Sequence, residues 1–208
     1  MSAPGPALVE AWLRDLGIEP VERAEREGVS SWDFVLDGRR RFDVRVTLIL
    51  DPTLGAIAWV QYAPPISDAF RKSYRRLLRW NDDFPFVKFS ISDDERPILM
   101  AELPIDRLDR DELGLCLARL LAVCDQLIAE SADWLARDGR RREVVGRRSR
   151  GAALLERYAA RLGELAGAPL AESRPVSTAP ALPGPTAAEE GSPVGAPDPL
   201  LDRGAHSA

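Results

Sequence analysis

The spacing of apolar residues changes repeatedly along residues 7–136, and this succession constrains the fold more than any other feature of the chain. Residues 7–16 have apolar side chains at the three- and four-residue spacing of an amphipathic helix. Residues 31–50 alternate instead between apolar and polar side chains, which is typical of strands, and a third strand follows at residues 56–62. Asp37-Gly38 is a strong hairpin signal inside this stretch. The pattern therefore predicts one helix followed by three antiparallel strands in meander order.

The third strand differs from the first two, and the segments after it return to helical spacing and to alternation. Residues 56–62 are apolar on both faces, as expected for a central strand. Residues 67–81 predict a second helix, residues 87–103 a second hairpin, and residues 109–138 a long Leu-rich helix. The predicted fold class is α+β, with the element order α-β-β-β-α-β-β-α. We expect an antiparallel five-stranded sheet with helices packed mainly on one face.

Charge and proline content divide the chain into three parts. Residues 1–136 form the predicted α+β domain, residues 137–170 a basic linker with a short helix, and residues 171–208 a disordered tail rich in Pro and Ala. The tail contains seven of the 17 prolines and no aromatic residue, so it cannot bury enough apolar surface to fold. The chain carries a net charge of −5; because the linker carries +5 and the tail −3, the domain carries −7. Such a charge argues against nucleic acid binding by the domain as a whole.

The residues that could carry chemistry argue against an enzyme. The only histidine is His206, in the predicted tail, and neither a Gly-rich phosphate loop nor a C-x-x-C pair occurs. Cys116 and Cys124 are eight positions apart in a predicted helix, too far for a disulfide, and are expected to fill the core. The acidic clusters at residues 93–95 and 106–112 fit a turn and a helix N-terminus, with a divalent-ion site as the alternative. We predict no catalytic residue, no metal site and no cofactor.

The chain has no sign of a membrane-spanning or exported segment. No apolar run approaches the ~20 residues needed to span a bilayer. The N-terminus also lacks the basic and apolar regions of a signal peptide. A cytoplasmic location without a membrane span is therefore expected.

Two groups of residues are candidates for binding a partner. A sheet with helices on one face leaves its other face open, and exposed apolar patches usually mark interaction surfaces. Trp59 and Tyr62 lie on the strand that is apolar on both faces, and Trp80 lies off the main apolar face of the second helix, so all three are candidates for such a patch. The second helix also has a basic stripe, which comprises Arg71, Lys72, Arg75, Arg76 and Arg79. Of these, Arg71, Arg75 and Arg79 are the candidates, and the stripe is either a solvated face or a docking face for an acidic segment or nucleic acid.

The basic run at residues 140–150 has a similar ambiguity. Six arginines occur in it, and they could bind RNA or a membrane surface. The run lacks the interleaved aromatic residues on which bases stack. A flexible charged connector is the favoured interpretation.

Three segments resemble a known superfamily. They are the helix end Leu-Leu-Arg-Trp-Asn at 77–81, the strand Phe-Val-Lys-Phe-Ser-Ile at 86–91, and the strand end Ile-Leu-Met-Ala-Glu-Leu-Pro at 98–104. Followed by a Leu-rich helix, they resemble the YbjN / type III secretion chaperone-like superfamily over about residues 7–136. The resemblance implies a small, non-enzymatic α+β module, often dimeric, that binds protein segments, and it brings no catalytic residues.

From the resemblance and the missing catalytic residues we predict a chaperone-like protein-binding module that forms a homodimer and holds or regulates a segment of a partner protein. The alternative is a regulatory module that binds nucleic acid or another anionic surface through its Arg-rich segments.

Overall fold

The computed structural model describes residues 4–65, 71–131 and 147–167. Its elements, in chain order, are helix α1 (Pro6–Asp15), strands β1 (Glu22–Arg26), β2 (Val29–Leu36), β3 (Val44–Asp51) and β4 (Gly55–Gln61), helix α2 (Arg71–Asp83), strands β5 (Lys88–Ile91) and β6 (Pro97–Pro104), a 3-10 turn (Ile105–Arg107), and helices α3 (Arg110–Gln126), α4 (Ala152–Arg157) and α5 (Ala159–Gly167). The predicted α+β class is confirmed.

The sheet has six strands in the order β1-β2-β3-β4-β6-β5, and every neighbouring pair is antiparallel. The sequence predicts five strands, and the missing one is β1. All five residues of β1 are exposed, and four of them are charged, so the strand has no apolar alternation. Glu27-Gly28 joins it to β2, and both residues have positive φ, 51° and 81°, as a two-residue type I′ turn requires. A charged edge strand of this kind resists pairing with another sheet.

The connection between β2 and β3 differs from the tight turn that Asp37-Gly38 indicates. The two strands pair as predicted, but residues 37–43 form a longer loop between them. Gly38 does not have a positive φ. Instead, a Cβ atom at Gly38 would lie 2.3 Å from the Oδ1 atom of Asp125, so glycine is needed for the close approach of α3 to this loop.

One face of the sheet packs against the helices and forms the core, as predicted. The inward side chains of the three central strands are all buried: Trp32, Phe34, Leu36, Val44, Val46, Leu48, Leu50, Ala56, Ala58 and Val60. Helix α1 adds Val9 and Leu13 to this cluster. Twelve of the 17 residues of α3 are buried, so this helix must be covered on both sides. The sheet covers one side, and α4 and α5 pack on α3 as well.

The C-terminal helices differ in detail from the sequence prediction. The sequence predicts a single basic helix in the linker. The structure has two short helices there, and they meet at Tyr158. Four of their apolar side chains are buried in the common core: Leu154, Leu155, Tyr158 and Leu162. These residues therefore belong to the packed structure.

Helix α3 ends earlier than the predicted residue 138. It ends at Gln126, and turns follow to residue 131. The hydroxyl and the backbone N–H of Ser131 both donate to the carbonyl oxygen of Leu127, at 2.6 and 3.0 Å. Side-chain hydrogen bonds of this kind compete with regular helix.

Some predictions lie outside the described residues. They are the helix start near Ser67, the arginines at 140–142 and the tail at 171–208. The division into three parts stays a prediction. None of the described helices combines the length and the apolar character that crossing a bilayer demands.

Candidate functional site

The face of the sheet opposite the core has no described helix against it. Its half-buried side chains point outward from β2, β3, β4 and β6. We call this surface the Trp59 face; it comprises Val35, Thr47, Ile49, Ile57, Trp59 and Met100. The open sheet face that the sequence predicts is therefore present. Its half-buried middle is mostly apolar, and the same face also has the exposed polar side chains of Asp33, Arg45, Gln61 and Glu102.

The strand register places Trp59 at the middle of this surface. Trp59 lies opposite Thr47 on β3 and opposite Met100 on β6. Ile57 lies opposite Ile49 in the next row. Cross-strand neighbours on one face are within contact distance, so these side chains form a continuous apolar patch.

The indole N–H of Trp59 is buried and has no hydrogen-bond partner among the described residues. A buried donor without an acceptor costs free energy, and most such groups in folded proteins are satisfied. Because the nitrogen is buried, a molecule on this face would contact the indole ring and not the N–H.

A groove runs along the Trp59 face beside the turn between β5 and β6. Its volume is about 740 Å³. The sheet side is lined by Arg45, Thr47, Trp59, Gln61 and Ile98, and the turn side by Ser92, Asp93, Asp94 and Arg96. The groove therefore combines two apolar side chains, Trp59 and Ile98, with polar and charged ones.

The turn that borders the groove is held by its own polar groups. The backbone N–H of Ser92 donates to the carbonyl oxygen of Arg96 at 3.0 Å, and Arg96 pairs with Asp94 at 2.5 Å. The hydrogen bond from the Ser92 hydroxyl and the pairing with Arg96 lower the pKa of Asp94. These interactions give Asp94, one of the three acids in this cluster, a role in holding the turn.

Two of the predicted surface aromatics lie in the core, which corrects the sequence-based expectation. Tyr62 is fully buried and Trp80 is 2% exposed. Tyr62 continues the inward alternation of β4, and its ring packs edge-on against Trp80 and Phe89, with centroid distances of 6.3 and 5.0 Å. The Tyr62 hydroxyl lies 2.7 Å from the Ser131 hydroxyl, and burial raises the pKa of Tyr62. Of the three aromatics, only Trp59 lines the open face.

The basic stripe of α2 is on the surface where the structure describes it. Arg75 and Arg79 are exposed, and neither forms a salt bridge with any described residue. Leu78, between them, is 66% exposed. Arg76 donates to the carbonyl oxygen of Glu130 at 2.9 Å. Arg71 is the first residue of α2, and its side chain lies outside the description.

Sequence reasoning missed a cluster of ion pairs that joins the residues before α4 to the β2–β3 loop. Asp37 is fully buried and accepts from the Nε and Nη2 atoms of Arg150 at 2.8 and 2.9 Å. Arg147 pairs with Asp43 at 2.9 Å. Burial alone would raise the pKa of Asp37, but hydrogen bonds from Arg150 and from the backbone of Asp43 hold it well below its usual range. Arg147 and Arg150 are therefore structural ion-pair partners, which argues against a free connector at these two positions.

Asp125 holds the same loop from the other side. Its carboxylate accepts from the backbone N–H groups of Arg39, Arg40 and Arg41 at 2.6, 2.9 and 2.8 Å. Arg41 turns inward, donates to the carbonyl oxygen of Tyr62, and lies 4.4 Å from the centre of its ring. Asp125 and the three residues that it binds are more than 80 positions apart in the sequence, so no local pattern indicates these contacts. Arg41 and Tyr62 are closer in sequence.

The two cysteines are free and buried, which confirms the prediction that they form no disulfide. Burial raises the pKa of Cys116 to about 12 and that of Cys124 to about 11. Both are therefore protonated thiols at neutral pH, and a thiol is a weak nucleophile.

Comparison with known proteins supports the predicted resemblance. A family model described as "YbjN: Putative bacterial sensory transduction regulator" matches residues 6–132, which runs from the start of α1 to just beyond the turns that follow α3. No curated protein matches the chain.

Proposed function

Because this chain belongs to the YbjN family, we propose that it is a non-enzymatic regulatory module that binds an extended segment of a partner protein on its Trp59 face. The observation that carries the proposal is the half-buried indole of Trp59, which lines the groove at the middle of a sheet face that no described helix covers. A partner segment bound there would cover the apolar side chains around Trp59.

An extended peptide suits this groove because its side chains alternate in direction, so every second one can contact the indole ring of Trp59. The charged sides of the groove include Arg45 and Asp93, which can select the flanking residues of the segment. The volume of about 740 Å³ is sufficient for several residues.

The non-enzymatic part of the proposal is supported by what the polar groups do. Asp109 is the N-cap of α3 and accepts from the backbone N–H of Glu112 at 2.8 Å. The turn acids and the buried thiols are likewise accounted for by local structure. These roles support the proposal that the groups in question are structural.

Site-directed photo-crosslinking of the full chain in its native host would test the proposal. With p-benzoylphenylalanine in place of Gln61, we expect crosslinks to one continuous segment of one partner protein. The same residue in place of Glu25, on the exposed edge strand, is the matched control and should not capture that segment.

Two variants keep this experiment informative. Trp59→Ala removes the indole from the groove, and Thr47→Arg keeps Trp59 but places a charge opposite it; both should abolish the crosslink. Crosslinks that survive both variants, or that join only two copies of this chain, would contradict the proposal. The predicted homodimer remains a separate prediction that sedimentation equilibrium would test.

A second candidate function is favoured by the exposed Arg75 and Arg79, which lack salt bridges among the described residues. Their i, i+4 spacing puts both on one face of α2, where they could bind a nucleic acid or another anionic surface. Fluorescence anisotropy with a labelled RNA should then show binding that weakens steeply with salt and is lost in Arg75→Ala/Arg79→Ala. RNA binding that is unchanged by this double substitution would exclude the basic stripe of α2 as the binding site.

A further inference from the structure

Arg39 and Arg40 are adjacent arginines in the β2–β3 loop, and the contacts of the fold do not use their side chains. Both residues are exposed. Their guanidinium groups form no salt bridge within the described part of the chain. Only their backbone N–H groups take part in its hydrogen bonds, and these donate to Asp125. The two positive charges therefore remain available to a ligand.

The backbone under these two arginines is held in place. The carboxylate of Asp125 accepts from the N–H groups of Arg39 and Arg40 at 2.6 and 2.9 Å. Within the loop, the N–H of Gly38 donates to the carbonyl oxygen of Arg41 at 2.7 Å. Side chains on a fixed backbone lose less conformational entropy when they bind, so this loop presents its two cations in a preorganised way.

The two arginines line a pocket of about 280 Å³, which we call the Arg39 pocket. Its other lining residues come from three helices: Ala122, Asp125 and Gln126 from α3, Leu155 from α4, and Ala159 and Leu162 from α5. Four of these eight side chains are apolar. The volume lies just below the ~300 Å³ at which sites for whole small molecules begin. The pocket is therefore suited to one apolar side chain of a larger ligand.

Positive charge exceeds negative charge at the Arg39 pocket. Among the described residues that line it, Asp125 is the only acid, and its carboxylate is already bound by three backbone N–H groups. The two acids of the loop are engaged as well. Asp37 pairs with Arg150 at 2.8 Å, and Asp43 pairs with Arg147 at 2.9 Å. Carboxylates of a ligand would neutralise the two remaining arginines with charge-assisted hydrogen bonds.

We propose that the Arg39 pocket binds an acidic segment of a partner protein, in which one bulky apolar side chain enters the pocket and the neighbouring carboxylates pair with Arg39 and Arg40. A protein segment fits better than a nucleic acid, because none of the described lining residues is aromatic and bases have no surface on which to stack. The apolar lining side chains likewise have no counterpart in a phosphate backbone.

The Arg39 pocket is independent of the function proposed above, since it shares no lining residue with the groove on the Trp59 face. It requires α4 and α5, which lie beyond residue 132, where the family match ends. The residues that match the family therefore do not form this site alone.

Fluorescence anisotropy of the full chain with labelled peptides would test the site. The two probes are Asp-Glu-Leu-Glu-Asp and Asp-Glu-Phe-Glu-Asp, and at least one should bind saturably with a Kd below about 1 mM. Ala at the centre, or Asn and Gln in place of the acids, should each weaken binding about fivefold or more, because apolar burial or charge pairing is lost. Two probes that fail to saturate, or an Ala-centred peptide that binds equally well, would overturn the proposal. An RNA oligonucleotide of equal charge that binds more tightly than both probes would overturn it too.

Substitutions with matched controls assign the binding to residues. Arg39→Gln/Arg40→Gln should weaken binding of the probe about tenfold or more. Thermal unfolding of this variant should match the wild type, because the loop is attached through its backbone. Arg14→Gln, which changes an exposed arginine of α1, is the control for charge.

The pocket itself is tested on α5. Ala159→Trp fills the pocket from the exposed first residue of this helix and should also weaken binding about tenfold. Ala160→Trp, exposed on the same helix but outside the pocket lining, is the control and should bind as the wild type does. Affinity that survives either Ala159→Trp or the double arginine substitution would place the probe elsewhere and refute the site.

Discussion

At the scale of single residues, several polar side chains of this protein replace backbone contacts. Asn81 is an example at the sheet edge. Its amide accepts from the backbone N–H of Phe89 at 2.5 Å and donates to the carbonyl oxygen of the same residue at 3.2 Å. The side chain thus occupies the position that another strand would take beside β5. Asn81 is the last residue of the Leu-Leu-Arg-Trp-Asn segment at 77–81, and this pairing gives the segment a physical role.

Replacing Asn81 by Ala should lower the free energy of unfolding by about 1–3 kcal/mol, because two backbone groups of Phe89 lose their partner. Urea unfolding followed by circular dichroism would measure the change. The exposed neighbour Asp82 provides the control: Asp82→Ala should change stability by about 0.5 kcal/mol or less. Equal stability of Asn81→Ala and Asp82→Ala would show that the amide contributes nothing.

The buried thiols lead to a second prediction at this scale. Cys116 and Cys124 should not react with Ellman's reagent in the native protein at pH 8, because both thiols are buried and have a pKa of about 12 and about 11. In guanidinium chloride both should react rapidly. Rapid reaction of one thiol without denaturant would mean that α3 opens locally.

At the scale of elements, the β2–β3 loop connects parts of the chain that are far apart in sequence. The carboxylate of Asp125 binds it from α3, and Arg147 and Arg150 bind its two acids from the segment before α4. Gly151 is also close to the loop, since a Cβ atom there would lie 2.3 Å from the carbonyl oxygen of Asp37. The loop is thus the point at which the C-terminal helices are anchored.

This anchor should make stability depend on acid pH. The pKa of Asp37 is lowered on folding from its ordinary value of 3.8, so its contribution is fully present above pH 3.8 and is lost as the pH falls toward the folded-state pKa. Urea unfolding at several values between about pH 2.5 and 7 should show stability falling below about pH 4. Asp37→Asn should flatten this part of the curve.

The partner of Asp37 supplies the matched experiment. Arg150→Ala leaves a buried carboxylate without its guanidinium and should lower the free energy of unfolding by about 2 kcal/mol at pH 7. This value is in the lower part of the usual range because Arg150 is half-exposed. Arg148, next to it in sequence, is exposed, and Arg148→Ala is the control. Indistinguishable effects of the two substitutions would argue against the anchor.

At the scale of the whole molecule, the packed structure includes residues beyond those that match the family. The match ends at residue 132, yet the buried side chains of α4 and α5 cover the outer side of α3. Gly114 of α3 allows this packing, because a Cβ atom there would lie 2.3 Å from the Tyr158 hydroxyl oxygen. Helix α3 is therefore enclosed from both sides by the same chain.

A fragment of residues 1–132 should accordingly be less stable than the full chain and should bind the dye ANS, because it exposes the outer apolar side of α3. Size-exclusion chromatography would show whether it self-associates. A fragment of residues 1–167 is the control and should behave as the full chain does. A monomeric 1–132 fragment with full stability would mean that α4 and α5 add no stabilisation.

The sequence by itself determined the α+β class, the antiparallel sheet, the open face and the core position of both cysteines, since apolar periodicity directly reports which side of an element is buried. It did not indicate β1, whose charged residues have no apolar side, and it placed Tyr62 and Trp80 at the surface because periodicity does not show which neighbouring element covers a side chain. Only the tertiary structure decided the partners of Asp37 and Asp125, and the approach of the β2–β3 loop to α3, α4 and α5 around the Arg39 pocket. Those contacts join residues that are distant in sequence, and no local pattern specifies them.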